Sequence, residues 1–458
     1  MMPVEGRPIL TTAAMRAAED AAIAAGSSVA ALMDRAGAAV AATVERLAGG
    51  REILVLCGPG NNGGDGYVAA TRLRAAGLTV RVAASDAPRT EAALRAWAAW
   101  GGEVADLDDA IGAPVLVDAL FGTGLTRPLE APVAGALRRL AAVAWLTIAV
   151  DLPSGVATDD GAVLSELPRF ALTLALGAVK PAHLLQPAAR HAGAVRVLDI
   201  GVAIDGDVRV LAPPILMPPG PDAHKFTRGM VAVVAGAMGG AGELAAVAAL
   251  RAGAGYALLL GGGATTTQAV VRRRFAAEAL ADPRIGAVLI GPGLGRDDAA
   301  REKLAAALAS ARRLVIDGDA LHLTDPAALR GHGGTIVLTP HEGEFRALFG
   351  DLAGSRIDRA RSAAEAAGAV IVYKGADTVI AAPDGRVSVA GAASGWLSTA
   401  GSGDVLAGAT AAMIASGLDP FVGAGAAVWL HADAARRCGA SFVADDLAAA
   451  LSPARAAL

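Results

Sequence analysis

Ile53-Leu54-Val55-Leu56-Cys57-Gly58-Pro59-Gly60-Asn61-Asn62-Gly63-Gly64-Asp65-Gly66 decides the fold of the first half of this chain. Residues 53–56 form an unbroken apolar run that stops at turn residues, which reads as a buried strand. The glycines allow a sharp turn, and a helix is expected over about 65–76. Working outward, residues 80–83, 115–117 and 148–150 read as further buried strands, with helical stretches near 91–100 and 133–142. Upstream, two helices are expected, the first capped by Thr11 or Thr12 and the second by Ser27 or Ser28. Strands alternating with helices predict a parallel α/β sheet wound on both faces, a Rossmann-like arrangement.

The second half repeats this logic. Its strand candidates are 231–234, 288–290, 314–316, 336–338, 370–373 and 378–381, with alanine-rich helical segments between them. Pro213, Pro214, Pro218, Pro219 and Pro221 separate the halves, because proline at that density opposes both helix and central strand. The predicted organisation is therefore two α/β domains, 1–210 and 222–458, joined by a proline-rich linker at 211–221.

The bulk properties fit that division. A chain of 458 residues is too long for one ordinary core. Hydrophobic residues make up 54% but aromatic ones only 3%, so alanine and glycine carry much of the apolar count and favour close helix-on-sheet packing. Forty basic and 44 acidic residues give a net charge of −4, which offers no clustered basic surface for nucleic acid. Cys57 and Cys438 make no metal-binding spacing and read as reduced cytosolic thiols. The uncharged stretch 252–271 is rich in Gly and Thr, and a buried strand plus loop is expected there rather than a membrane span. The expectation is a soluble, cytoplasmic homo-oligomer without membrane or nucleic-acid partners.

Gly58, Gly60 and Gly63 satisfy a G-x-G-x-x-G dinucleotide pattern, with Asp86 at a ribose-binding distance beyond. In a chain with 57 glycines, simple turn geometry explains such a match equally well. The oxygen-bearing side chains are more specific. Asn61, Asn62 and Asp65 follow the first strand, Asp118 sits at the end of another, and Asp151-Leu152-Pro153-Ser154-Gly155 follows a third. In a doubly wound sheet these carboxyl ends converge on one crevice, where Asn, Asp and Ser oxygens can bind a hard cation.

This constellation resembles the YjeF N-terminal family, the NAD(P)H-hydrate epimerases, over most of 10–200. The resemblance implies that Asn62, Asp118 and Ser154 hold potassium. It also implies that Asn61, Asn62, Gly63, Gly64, Asp65, Gly122, Thr123, Gly124, Leu125, Thr126, Arg127, Pro128 and Asp151 contact the hydrated nucleotide. The family's Lys-Pro-Gly stands here as Lys180-Pro181-Ala182. The hydrated cofactor carries a hydroxyl on the ring carbon beside nitrogen, so its C–O bond or the ring bond can break reversibly, and readdition from the other face inverts the centre. A positioned carboxylate supplies the proton transfers, and Asp151 is expected in that role, with Lys180 or potassium steadying charge.

In the second half, Thr399-Ala400-Gly401-Ser402-Gly403-Asp404 runs into a helix. The N–H groups of Gly401, Ser402 and Gly403 are expected to form an anion hole beside Asp404. Tyr373-Lys374-Gly375-Ala376-Asp377-Thr378 and Thr339-Pro340-His341 each follow a strand, and Gly291-Pro292-Gly293 is a bare-backbone turn. These segments resemble the ribokinase-like superfamily and, more narrowly, the ADP-dependent NAD(P)H-hydrate dehydratases. The resemblance implies substrate contacts at Ala241, Gly293, His341 and Asp404. It places the nucleotide on Lys374, Gly375, Ala376, Asp377, Thr378 and Gly403, with magnesium accompanying ADP. The family's Asp-Ala-Asp-Ala-Leu-Asn stands here as Asp317-Gly318-Asp319-Ala320-Leu321-His322.

The function expected from both halves is repair of hydrated NADH and NADPH, by epimerisation followed by ADP-driven dehydration. A small-molecule kinase with a regulatory N-terminal domain shares the Gly-Ser-Gly-Asp segment. It is separated by its product, a stable phosphorylated substrate. A non-catalytic cofactor-binding protein fits Asp151, Lys180 and Asp404 less well, and the second half offers no reason for a hydride-transfer dehydrogenase.

Overall fold

In the computed structural model, which describes residues 2–262 and 267–458, the chain divides into two units that meet between Val210 and Leu211. In chain order, the first holds α1 (Thr12–Ala24), α2 (Val29–Ala48), β1 (Ile53–Cys57), α3 (Asn61–Ala75), β2 (Val80–Ala84), α4 (Glu91–Trp100) and β3 (Val104–Asp106). β4 (Val115–Ala119), α5 (Ala131–Val143), β5 (Leu146–Val150), β6 (Leu172–Leu176), α6 (Ala189–Ala192), β7 (Ala194–Leu198) and β8 (Val208–Val210) complete it.

Seven strands pair in parallel in the order β3-β2-β1-β4-β5-β6-β7. Successive side chains of β1 point to opposite faces. Ile53, Val55 and Cys57 join the core under α1–α4, while Leu54 and Leu56 join the core under α5. Both faces are thus covered, which is why these strands are apolar throughout. The chain steps one way from β1 to β3 and then returns to add β4 on the other side of β1. The switch point lies between β1 and β4, where an open α/β sheet has its ligand crevice.

Thr11 and Ser28 accept hydrogen bonds at the starts of α1 and α2, as two of the alternative caps require. One expectation is corrected. α3 begins at Asn61, not near Asp65, so Asn61, Asn62, Gly63 and Gly64 form its first turn and not a loop. Gly63 makes this possible, because a Cβ there would come 1.8 Å from the Gly58 carbonyl oxygen. A bulkier residue would force the turn and helix apart.

The second unit contains β9 (Met230–Val234), α7 (Gly239–Arg251), β10 (Tyr256–Leu260), β11 (Val271–Arg273), β12 (Ile285–Ile290), α8 (Asp298–Ser310), β13 (Arg313–Ile316), α9 (Asp319–Leu323) and α10 (Pro326–Leu329). There follow β14 (Thr335–Leu338), α11 (Glu342–Phe349), α12 (Arg356–Ala367), β15 (Val370–Tyr373), β16 (Val379–Ala381), β17 (Val387–Val389), α13 (Ser402–Ala415), α14 (Pro420–Cys438) and α15 (Ala444–Ala456). Its strands run β11-β10-β9-β12-β13-β14-β15-β16-β17. They are parallel up to β15 and antiparallel through β16 and β17. The core against this sheet is built from alanines such as Ala245, Ala249, Ala407 and Ala411 together with strand valines. Short side chains bring α7 and α13 close to each other and to the strands. β10 and β11 account for the ends of the uncharged stretch 252–271, part of which lies outside the described residues. No helix among the described residues is long and apolar enough to cross a membrane.

Candidate functional site

At the carboxyl end of β5, Asp151 adopts a left-handed backbone conformation, φ +65°. Aspartate tolerates that region better than most residues, at some cost in strain. The turn aims its buried carboxylate at four donors. Oδ2 accepts from the Thr123 N–H (3.0 Å) and Thr123 Oγ1 (2.5 Å). Oδ1 accepts from the Leu176 N–H (3.2 Å) and Lys180 Nζ (2.5 Å). Lys180 is itself buried and also donates to the Leu176 carbonyl (2.6 Å). Burial opposes the charge on Asp151, but Lys180 and the hydrogen bonds outweigh it, holding the carboxyl below its ordinary range.

His183 was not singled out in the sequence, yet it fixes this pair. Its Nδ1 accepts the Lys180 N–H (2.9 Å), so Nε2 carries the proton and donates to the Asp151 carbonyl (2.6 Å). Burial lowers its pKa to about 4, which keeps the ring neutral. Ala182, where the family has glycine, is buried in the core under α5 without a positive φ. Its N–H donates to the Thr158 carbonyl (2.9 Å), so the local turn accepts the methyl group.

Asp118, at the end of β4, is fully buried and linked to Ser154. Oδ1 accepts from Ser154 Oγ (2.7 Å) and the Leu120 N–H (3.1 Å), and Oδ2 from the Ser154 N–H (3.0 Å). Burial raises the Asp118 pKa to about 6 despite these bonds. Oδ2 retains an acceptor site. Asn62 Nδ2 is buried without a hydrogen-bond partner among the described residues. A half-turn of that amide would present an unshared carbonyl oxygen instead. Carboxylate, hydroxyl and amide oxygens are donors of the type a hard cation takes, and of these three residues only Asn62 lines the cleft that holds Asp151.

Asn61, Asn62, Asp65, Gly122, Thr123, Gly124, Leu125, Asp151 and Lys180 all line one cleft of about 550 Å³. Gly122 is required to be small, because a Cβ there would sit 3.0 Å from Asp151 Oδ2 and 3.1 Å from Asn62 Oδ1. Gly63 and Gly64 are buried under the cleft-side turn, and Thr126, Arg127 and Pro128 are exposed outside the cleft wall. Asp86 is engaged with Arg89 and does not line the cleft. Glu19, on α1, lines the cleft and was missed. Its helix lies more than a hundred residues from Asp151, and no local motif marks it.

In the second unit, Asp404 occupies the first turn of α13. Burial raises its pKa to about 7, with a contribution from Asp317 and partial relief from Lys374. Lys374 follows β15 and gives its ammonium to Asp317 Oδ1 (2.7 Å), with Glu344 Oε2 at 3.7 Å. Asp317 Oδ1 also accepts from Thr339 Oγ1 (2.6 Å). A Cβ on Gly403 would lie 3.5 Å from Lys374 Nζ, which places the two segments together. The Ser402 N–H differs from expectation, as it turns to the Thr399 carbonyl (3.4 Å). The first turn of α13 still leaves the Gly403 and Asp404 N–H groups without intrahelical acceptors.

Asp319 accepts from the Gly295 N–H (3.0 Å) and Arg296 Nε (2.9 Å), so Asp317 is the aspartate of that segment that meets Lys374. His322 is exposed on α9. A Cβ on Gly293 would lie 3.0 Å from the Ala241 Cβ, which puts these two side by side. His341 caps α11: Nδ1 accepts the Glu344 N–H (3.1 Å), and Nε2 lies 3.6 Å from Glu344 Oε1. Gly375 and Ala376 are exposed, and Thr378 Oγ1 closes the turn on Gly375. Asp377 is buried near Arg356 Nε (3.4 Å). Arg356, also missed, stacks on Tyr373 (3.5 Å) and donates to the Lys374 carbonyl (2.6 Å).

Comparison with known proteins matches each unit separately. A family model described as NAD(P)H-hydrate dehydratase matches residues 231–454, and one described as YjeF-related protein N-terminus matches residues 29–182. Proteins named bifunctional NAD(P)H-hydrate repair enzyme Nnr match almost end to end. That of Pyrobaculum aerophilum is 36% identical over 91% of this chain and 92% of its own. That of Salinibacter ruber is 35% identical over 96% and 94%. Among solved structures, the Bacillus subtilis ADP/ATP-dependent NAD(P)H-hydrate dehydratase co-crystallized with ATP/Mg2+ is 28% identical. It covers 53% of this chain and 94% of that one, with a TM-score of 0.48.

Proposed function

The chain belongs to the family of bifunctional NAD(P)H-hydrate repair enzymes, and from that membership we propose how its two units divide the work. The unit ending at Val210 interconverts the R and S forms of NADH and NADPH hydrate. The unit from Leu211 dehydrates the S form at the expense of ADP, giving AMP and phosphate. The observation that supports this division is the contrast between two carboxylates at separate sites, an ionised Asp151 and a proton-accepting Asp404 near neutrality.

In the first unit, Asp151 is the catalytic carboxylate. Loss of the ring hydroxyl places positive charge on the ring nitrogen, and the fixed Asp151 anion stabilises it. Thr123 orients that anion, and the Asn61–Asp65 and Gly122–Pro128 segments seat the nucleotide. Asn62, Asp118 and Ser154 would hold potassium, which would supply a fixed positive charge at the strand ends.

In the second unit, Asp404 takes the proton of the ring hydroxyl. That oxygen attacks the terminal phosphorus of ADP, the bond to AMP breaks, and the helix-end N–H groups receive the developing charge. The ring nitrogen's lone pair then expels phosphate, and loss of the adjacent proton restores the dihydronicotinamide. Lys374 and the turn to Thr378 hold the nucleotide, while Ala241, Gly293 and His341 border the substrate. Magnesium would neutralise phosphate charge, and Asp317 and Glu344 are the carboxylates available to it.

The test mixes the purified chain with both hydrate epimers. With ADP and magnesium, dihydronicotinamide absorbance should return until both epimers are consumed. Without ADP, the epimers should only interconvert. A stable phosphorylated product with no return of absorbance would favour a kinase instead.

A further inference from the structure

Epimerisation requires a proton given to the departing hydroxyl, and Asp151 is poorly suited to give it. Its four donors occupy two acceptor sites on each oxygen. An anion held this way stabilises charge but carries no proton to donate.

The opposite wall of the cleft is α1. The Leu10 N–H donates to the Val179 carbonyl (2.9 Å), beside Lys180. Just inside the helix, the N–H and hydroxyl of Thr12 donate to Asp159 Oδ1 (2.7 and 3.1 Å). The helix start is therefore fixed to the segment that carries the Asp151–Lys180 pair. Met15, Arg16, Glu19, Asp20 and Ile23 all line the cleft, which is one face of a helix at i, i+1, i+4, i+5 and i+8. That face reaches the Gly122–Leu125 segment, since a Cβ at Gly124 would lie 3.2 Å from Arg16 Nη2.

We propose that Glu19 is the catalytic acid of epimerisation, giving its carboxyl proton to the ring hydroxyl while Asp151 stabilises the cationic ring. This rests on reading the first unit as the epimerase. Glu19 is half-buried, and burial favours its protonated form. Lys180 and Arg16 oppose this, and Asp151 and Asp20 reinforce it. Asp65, which lines the same cleft, has its pKa raised well above the ordinary carboxylate range, first by burial and then by Asp151 and Glu19.

The step balances without a further reactant. The Glu19 proton moves to the hydroxyl oxygen, the C–O bond breaks, and its electron pair leaves with the water formed. The ring nitrogen's lone pair makes the C=N bond of the cation. Water adds on the other face and loses its proton to solvent, while Asp151 stays an anion throughout. Exchange with solvent returns a proton to Glu19.

The test follows R-to-S interconversion in the full chain across pH for the parent, Glu19→Gln, Glu19→Asp and Asp151→Asn. Glu19→Gln should lower kcat by about 100-fold with little change in KM. It should also remove the alkaline fall in rate that marks loss of the acid's proton. Glu19→Asp should recover much of the rate and keep that fall. Parent-like kcat and pH dependence in Glu19→Gln would overturn the proposal, as would equal losses in both Glu19 variants with an unchanged pH profile. If Asp151→Asn alone stops interconversion, only the role of Glu19 fails. If neither Asp151→Asn nor Glu19→Gln affects it, the epimerase reading of the cleft fails with it.

Discussion

Asp151 and Asp404 each sit near one lysine, and their lysines are used differently. Lys180 bonds directly to Asp151 at 2.5 Å, with both side chains buried, and Asp151 stays an anion. Lys374 bonds instead to Asp317 at 2.7 Å, and Asp404 is left with a pKa near 7. The ingredients are the same, an aspartate and a lysine at the carboxyl end of a parallel sheet. Burial pushes both carboxyls up, and a direct lysine hydrogen bond is what offsets that rise at Asp151 and is missing at Asp404. One arrangement suits stabilising a cation, and the other suits taking a proton at neutral pH.

The largest test of this contrast removes the first lysine. Lys180→Met leaves the buried Asp151 uncompensated and should destabilise the first unit by about 3–5 kcal/mol. Thermal unfolding followed by calorimetry reads this directly, and epimerisation should be lost. Unfolding at the parent temperature would mean that the pair is not buried as described.

Next comes pH. Asp404 must be ionised to act as a base, so the dehydration rate should fall by about tenfold per pH unit once pH drops well below 7. Asp151 is held below its ordinary range, so its ionisation imposes no such limb on epimerisation until far more acidic conditions. A dehydration rate that is flat from neutral to mildly acid pH contradicts the state assigned to Asp404.

A smaller effect is expected at Arg356, which ties α12 to the carbonyl of Lys374 and to Asp377. Arg356→Met should raise KM for ADP several-fold with kcat less affected, as steady-state assays at varied ADP would show. Smallest is Ala182→Gly. Removing a buried methyl and adding backbone freedom should cost about 1 kcal/mol in unfolding experiments, with epimerisation unchanged.

The parallel sheets were legible because their strands are short apolar runs closed by Gly, Pro or Asp. The strands β6 and β7 were not, since Leu172–Leu176 and Ala194–Leu198 lack flanking helical patterns that would frame them. The start of α3 was misread because the glycines in and beside its first turn argue locally against helix, and their reasons are tertiary: Gly63 lies against Gly58 and Gly64 against Met33. Asp151, Asp118 and Asp404 could be found because each lies at or just after the end of a strand, or at a helix start. Glu19, His183 and Arg356 act across long sequence separations or through backbone contacts. Their residue types alone look like ordinary surface or structural choices.

The most direct measurement compares Asp151→Asn and Asp404→Asn side by side, assaying R–S interconversion without ADP and return of dihydronicotinamide absorbance from the S epimer with ADP. Asp151→Asn should lose about 100-fold or more of the first activity and keep the second. Asp404→Asn should keep the first and abolish the second. If either single replacement removes both activities, or neither removes any, the two carboxylates do not carry two separate chemistries.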